Sequence, residues 1–238
     1  MGRKAFPRKR FHRHPGVSAS VVAVVDNEAA QTIATPGGDA RAVVSAAAAP
    51  SMTLVLGHGA GGGIEARDLV ALAKVLPDRG VTVVRIEQPW RVAGRRVAGP
   101  PATLDKAWLA VLEALDVDGP LAVGGRSAGA RVACRTAEQV GAVGCLALAF
   151  PLHPPGRPER SRLDELLGSG VPTLVVQGER DAFGGPKAFP RKRSRSYGVV
   201  AVPGADHSFR VTKPHDQAGA LSTLVTAVGD WLLSRPSM

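Results

Sequence analysis

The sequence predicts an α/β fold: a mostly parallel, doubly wound sheet with helices on both faces. Three observations predict it. Short apolar runs recur at residues 51–56, 81–86, 121–125, 144–150, 172–177 and 197–202, the near-continuous hydrophobic signature of strands buried on both faces. Segments of helical period lie between several of them, as right-handed crossovers require. The 238 residues suit one domain of ordinary size, expected over 19–238 behind a basic, disordered extension at 1–18.

From the N-terminus, Val21–Val25, Gln31–Ala34 and Arg41–Ser45 read as leading strands, with Pro36-Gly37-Gly38-Asp39 turning between the last two. Ala46–Pro50 connects to the first buried run. Residues 66–76 carry Leu69, Leu72, Val75 and Leu76 at helical spacing, and Pro77 stops the helix. After Val81–Ile86, residues 87–101 read as a loop with Trp90 and several arginines. Thr103–Leu115 reads as a helix with Thr103 as its N-cap. The last helix ends near Leu233 and begins at Val211 or Asp216. About twenty residues separate Phe150 from Val171, and a loop of that length carries little structure of its own. The predicted site is therefore open, walled by Gln88–Arg95, Pro151–Pro155 and a glycine-rich loop.

The chemistry concentrates at Leu121-Ala122-Val123-Gly124-Gly125-Arg126-Ser127-Ala128-Gly129-Ala130-Arg131. A strand runs into Gly125-x-Ser127-x-Gly129 and then into a helix, the context that makes this pattern a nucleophile elbow. A side chain two residues either side of the serine would collide with its neighbours, and glycine has none. The following helix N-terminus offers free N–H groups to a developing oxyanion. After the run Met52–Leu56 comes Gly57-His58-Gly59-Ala60-Gly61-Gly62-Gly63. Its expected role is an oxyanion hole: Gly59, Ala60 or Gly61 on one side and Ala128 on the other. Phosphate binding by this loop is the alternative, but no G-x-x-x-x-G-K-[ST] is present. His58 is expected to orient the loop.

Asp181 follows the apolar run Pro172–Gln177, where a triad acid belongs; Glu179 and Asp206 are alternatives. His207 follows Tyr197–Val202 and precedes the last helix. Ser127, Asp181 and His207 thus appear in the chain order Ser…Asp…His. Taken with Leu54–Gly62, Glu87–Arg91, Ala149–Leu152, Gln177–Asp181 and Ala205–His207, these motifs resemble the α/β-hydrolases. More narrowly the chain is similar to the small lidless branch related to testis-expressed protein 30 and to the hydrolase-like subunit of the non-specific-lethal chromatin complex, whose bacterial members are dienelactone-hydrolase-like in size. The resemblance covers roughly residues 30–235. It implies a serine hydrolase acting on an ester, thioester or related acyl bond of a small-molecule substrate, with no cofactor and no metal. Trp90, Arg91, Arg126 and Leu152 are candidate substrate-wall residues, the arginines either favouring anionic substrates or simply forming surface ion pairs. Some relatives of this branch are scaffolds, so a catalytically silent protein is the rival expectation.

Charge and cysteine content narrow the classes further. The net charge is +10, yet eleven cations sit in two acid-free stretches, residues 1–13 and 187–195. The rest holds nineteen basic and twenty acidic residues, so the basicity is local. Lys4–Arg10 recurs residue for residue as Lys187–Arg193; nothing physical explains the duplication. Both stretches are expected to be solvated, with polyanion or nucleic-acid binding the less favoured outcome. Cys134 and Cys145 fall in apolar contexts and read as buried free thiols. No run reaches the ~18 apolar residues of a membrane span, no cleavable leader is recognisable, and a cytoplasmic location is expected.

Overall fold

The computed structural model describes residues 20–25, 28–117, 119–190 and 197–235. The expected extension at 1–18, the first copy of the repeat and residues 191–195 of the basic insertion lie outside the described residues.

Among the described residues nine strands form one sheet: β1 (Ser20–Val25), β2 (Glu28–Thr35), β3 (Gly38–Ser45), β4 (Met52–Gly57), β5 (Val81–Glu87), β6 (Leu121–Arg126), β7 (Gly144–Leu148), β8 (Thr173–Gly178) and β9 (Tyr197–Val202). Their order is β1-β2-β3-β5-β4-β6-β7-β8-β9. The first three are antiparallel and β3 joins β5 antiparallel; all later pairings are parallel. The α-helices among the described residues are α1 (Arg67–Val75), α2 (Pro89–Val92), α3 (Pro101–Ala114), α4 (Ala128–Thr136), α5 (Leu163–Leu167) and α6 (Gln217–Leu233).

Alternation along the central strands divides the core into two layers. On one face Leu54 and Leu56 of β4 meet Leu69 and Leu72 of α1 and Leu224, Val228 and Leu232 of α6. On the other, Val55, Val123 and Cys145 meet Trp108 of α3, Val132 and Ala133 of α4 and Phe150. Gly57, Gly125 and Arg126 end β4 and β6 in register with one another and with β7, so the loops that follow leave the sheet on one edge. This is the strand end at which open α/β sheets place their ligands.

The elements depart from the sequence reading where local chemistry outweighs pattern. The turn between β2 and β3 contains Pro36 and Gly37 alone; Thr35 pairs with Gly38, and Thr35 Oγ1 donates to Gly38 O at 2.6 Å. Thr103 is not an N-cap. Pro100 occupies that position and Pro101 opens α3, because proline's fixed φ and missing N–H suit the first helical residue. The 87–101 loop contains α2, started by Pro89 in the same way. Strand β7 stops at Leu148 because Ala149 takes a φ of 44°. Between β7 and β8 the one helix is the five-residue α5. Asp216 caps α6, accepting from Ala218 N and Gly219 N at 2.9 and 2.8 Å.

The basic insertion is not wholly solvated. Phe189 is buried in the core and meets Tyr197 edge-on, and Tyr197 Oη donates to Pro190 O at 2.7 Å. Cys134 of α4 and Cys145 of β7 are buried free thiols, their sulfurs 3.8 Å apart between helix and sheet. Hydrogen bonding to Cys134, together with burial, pushes the Cys145 thiol well up. Among the described residues no helix is long and apolar enough to cross a membrane.

Candidate active site

Ser127 links β6 to α4 in a strained conformation, φ 54° and ψ −110°, a region that L-residues hold only when their surroundings compel it. The flanking glycines make the turn possible. A Cβ on Gly125 would lie 2.6 Å from Gly57 O and 2.7 Å from Gly129 C, and one on Gly129 would run into the Gly57 carbonyl. Those close backbone approaches press the start of α4 against the end of β4 and leave the serine projecting from the strand edge.

The structure brings Ser127, His207 and Asp181 together from three separate loops. His207 Nδ1–H donates to Asp181 Oδ2 at 2.8 Å. That fixes the ring's other nitrogen as an acceptor, and Ser127 Oγ–H stands 3.0 Å from Nε2. Asp181 is buried, while the His207 side chain keeps 21% exposure. The alternative acids are engaged elsewhere. Glu179 accepts from Gly204 N at 2.9 Å, and Asp206 accepts from Ser208 N and Arg210 N at 2.7 and 2.9 Å.

Two supporting residues escaped the sequence reading. Gln177, at the end of β8, donates from Nε2 to Asp181 Oδ2 and Gly184 O, each at 2.8 Å. Phe183 donates its backbone N–H to Asp181 Oδ1 at 2.8 Å and stacks on the His207 ring, centroids 4.3 Å apart. Gln177 sits inside an apolar strand and Phe183 in a loop, so neither type nor spacing marks them. Their position beside the acid does.

On the opposite side, Gly59 lies close behind Ser127; a Cβ there would approach Ser127 Cβ to 3.3 Å, whereas one on Gly61 would meet open space. The N–H groups of Ala60 and Ala128 donate to no backbone carbonyl among the described residues. Both residues line a crevice of about 220 Å³, counted with its open mouth, whose walls include Trp90, Leu104 and Val132. His58 orients the loop as expected: Nδ1–H donates to Gly59 O at 2.9 Å, and Nε2 accepts from Gln88 N at 3.1 Å. Burial pushes its pKa below the usual histidine value.

Of the expected wall residues, Trp90 alone borders this crevice. Arg91 turns outward, 3.7 Å from Glu65. Leu152 is buried in the core against Gly184. Arg126 is buried too; its Nη2 donates to His207 O at 2.7 Å and to Ser208 Oγ at 3.1 Å. A guanidinium so engaged cannot serve as a free anion-binding wall. Among the described residues no group of three or more His, Cys, Asp or Glu is placed to hold a metal ion.

A family model described as an alpha/beta hydrolase domain matches residues 50–232. No curated protein matches the chain. Among solved structures, a lidless α/β serine hydrolase from Xanthomonas campestris is 24% identical, with 90% of this chain and 99% of that one covered and a TM-score of 0.66. Est1E from Butyrivibrio proteoclasticus, solved with ferulic acid bound, is 17% identical over 86% and 98% of the two chains, TM-score 0.66. A dienelactone hydrolase from Anabaena variabilis is 16% identical over 92% and 98%, TM-score 0.66. At these identities the likeness is one of fold.

Proposed function

We propose, from the premise that this chain belongs to the alpha/beta hydrolase domain family, that it is a serine hydrolase cleaving a carboxylic ester, thioester or related acyl bond. The observation that carries this reading is the continuous hydrogen-bonded line Ser127–His207–Asp181, 3.0 and 2.8 Å long.

In this reading Ser127 Oγ attacks the acyl carbonyl as His207 Nε2 takes its proton. Asp181 holds the neutral ring in the tautomer that accepts at Nε2, then stabilises the imidazolium. The tetrahedral oxyanion is held by Ala128 N–H together with Ala60 or Gly61 N–H, groups fixed before the reaction begins. Collapse expels the leaving alcohol or thiol, protonated by His207, and leaves Ser127 acylated. A water deprotonated by His207 then attacks the acyl-enzyme and returns the free serine. The crevice beside Ala60 and Ala128 is smaller than a typical ligand pocket of roughly 300–1,000 Å³ and suits a compact group. Ester chemistry is in keeping with the esterase and dienelactone hydrolase that share the fold. A cytoplasmic location belongs to the same reading, in keeping with the free thiols Cys134 and Cys145.

A fluorophosphonate probe tests it. The expected adduct is on Ser127 alone. Ser127→Ala and His207→Ala lose nearly all ester turnover while remaining folded, and Asp181→Asn loses on the order of 10⁴ in rate. A chain that resists the probe and turns over no ester is a catalytically silent member of the fold.

A further inference from the structure

Arg126 precedes the nucleophile, yet its side chain serves the opposite partner. Nη2 donates to the carbonyl of His207 at 2.7 Å and to Ser208 Oγ at 3.1 Å. Nη1 lies against Gly59, 3.3 Å from where a Cβ would stand. Nε is 3.3 Å from Asp68 Oδ2, in the first turn of α1. One buried guanidinium therefore touches the histidine loop, the glycine loop and the start of α1, from a residue peptide-bonded to Ser127.

This link matters because the Ser127–His207 hydrogen bond crosses between loops 80 residues apart. Among the described residues no backbone hydrogen bond joins 126–129 to 206–209. The histidine loop is held within itself, by Phe209 N donating to Asp206 O at 3.0 Å and Asp206 N to Arg210 O at 2.9 Å. Those bonds shape the loop but do not set its distance from the serine. A planar guanidinium with donors in fixed directions can do that, where an ammonium's three donors rotate about one nitrogen on a flexible stem. Asp68 has a different part. It is fully buried, and none of its side-chain contacts with Arg126 is an aligned hydrogen bond. It compensates the buried charge more than it aims the group.

We propose that Arg126 is a positioning residue that holds His207 in register with Ser127, with Asp68 as its buried counterion. This rests on the serine-hydrolase reading. Arg126 does not line the crevice, so its loss acts on the chemical step and leaves substrate binding nearly intact.

The test uses the full chain with Arg126→Gln and Arg126→Lys, read by ester kinetics, fluorophosphonate labelling rate and thermal unfolding. A misplacement of about 1 Å in such a site costs on the order of 10² in rate. Arg126→Gln is expected to lose kcat and labelling rate together by roughly that factor with KM within about threefold, Arg126→Lys falling between it and wild type. Free guanidinium at low millimolar concentration is expected to raise the kcat of Arg126→Ala but not of wild type. If Arg126→Gln does not fold, Arg126→Lys and its kcat-against-KM split carry the test. Folded variants with kcat near wild type, or a loss confined to KM, or one that vanishes on cooling in step with stability, overturn the inference alone. A wild-type chain that neither labels nor hydrolyses ester overturns the hydrolase reading and this inference with it.

Discussion

His58 shows how a side chain outside the reacting atoms can make the site pH-sensitive. Its ring is buried between Gly59 and Gln88, donating to one and accepting from the other, and burial lowers its pKa. In the unfolded chain the same ring titrates near its ordinary value, about 6.5. A depressed folded pKa means the unfolded state binds the proton first. The contribution of neutral His58 to stability is therefore complete above about pH 6.5 and is lost as pH falls from there through the folded pKa. Wild type is expected to melt lower at pH 5 than at pH 8, and His58→Asn to show a smaller difference; equal pH slopes by calorimetry would count against this.

The same scale shows what could be read from the chain. Ser127, Asp181 and His207 each lie within five residues of the end of an apolar run, so their shared location was implied once the runs were taken as parallel strands. Gln177 and Phe183 carry no such mark. The work of Arg126 was hidden for a physical reason: its partners Asp68 and His207 lie 58 residues before it and 81 after it. Only folding brings them into one place.

Among the elements, the join between β6 and α4 is the tightest. Its geometry depends on bare Cα atoms at Gly125 and Gly129 facing backbone rather than movable side chains. Gly129→Ala puts a methyl group into the carbonyls of Gly57 and His58. We expect it to cost at least roughly 1–3 kcal/mol, the range for overpacking, and to abolish turnover because α4 must retreat from the oxyanion site. Urea unfolding beside an ester assay checks both. The central strands β4 to β8 were legible as apolar runs because nearly all their residues are buried. The short helices were not: α2 and α5 span four and five residues, too few for a period to repeat. The start of α3 was displaced because Thr103 resembles a cap while Pro100 and Pro101 set the boundary.

For the whole molecule, the brief passage from β7 to β8 carries only the five-residue α5 among the described residues, too little for a second layer of apolar surface over the serine edge. Burying each CH₂ of an acyl chain is worth about 0.8 kcal/mol, but only where a wall exists to receive it. Across a series of p-nitrophenyl esters, kcat/KM is expected to favour short or compact acyl groups and to show no jump at the micellar threshold. A steady rise beyond about eight carbons would mean that some other surface accepts the chain. The doubly wound sheet was legible at this scale, as was the confinement of charge to two stretches. The burial of Phe189 was not, because a phenylalanine among cations looks the same in sequence whether it is free or docked.

The two sulfurs between α4 and β7 give the molecule an unlabelled exterior. The chain has two cysteines, and neither reaches solvent. Thiol-selective dyes and spin labels therefore find nothing to attach to on the native surface. Val97, 79% exposed and adjacent to the crevice residue Ala98, is a natural place to introduce one accessible thiol. A fluorophore attached there would sit at the crevice mouth as a single-site reporter of ligand entry, with both native sulfurs left in place.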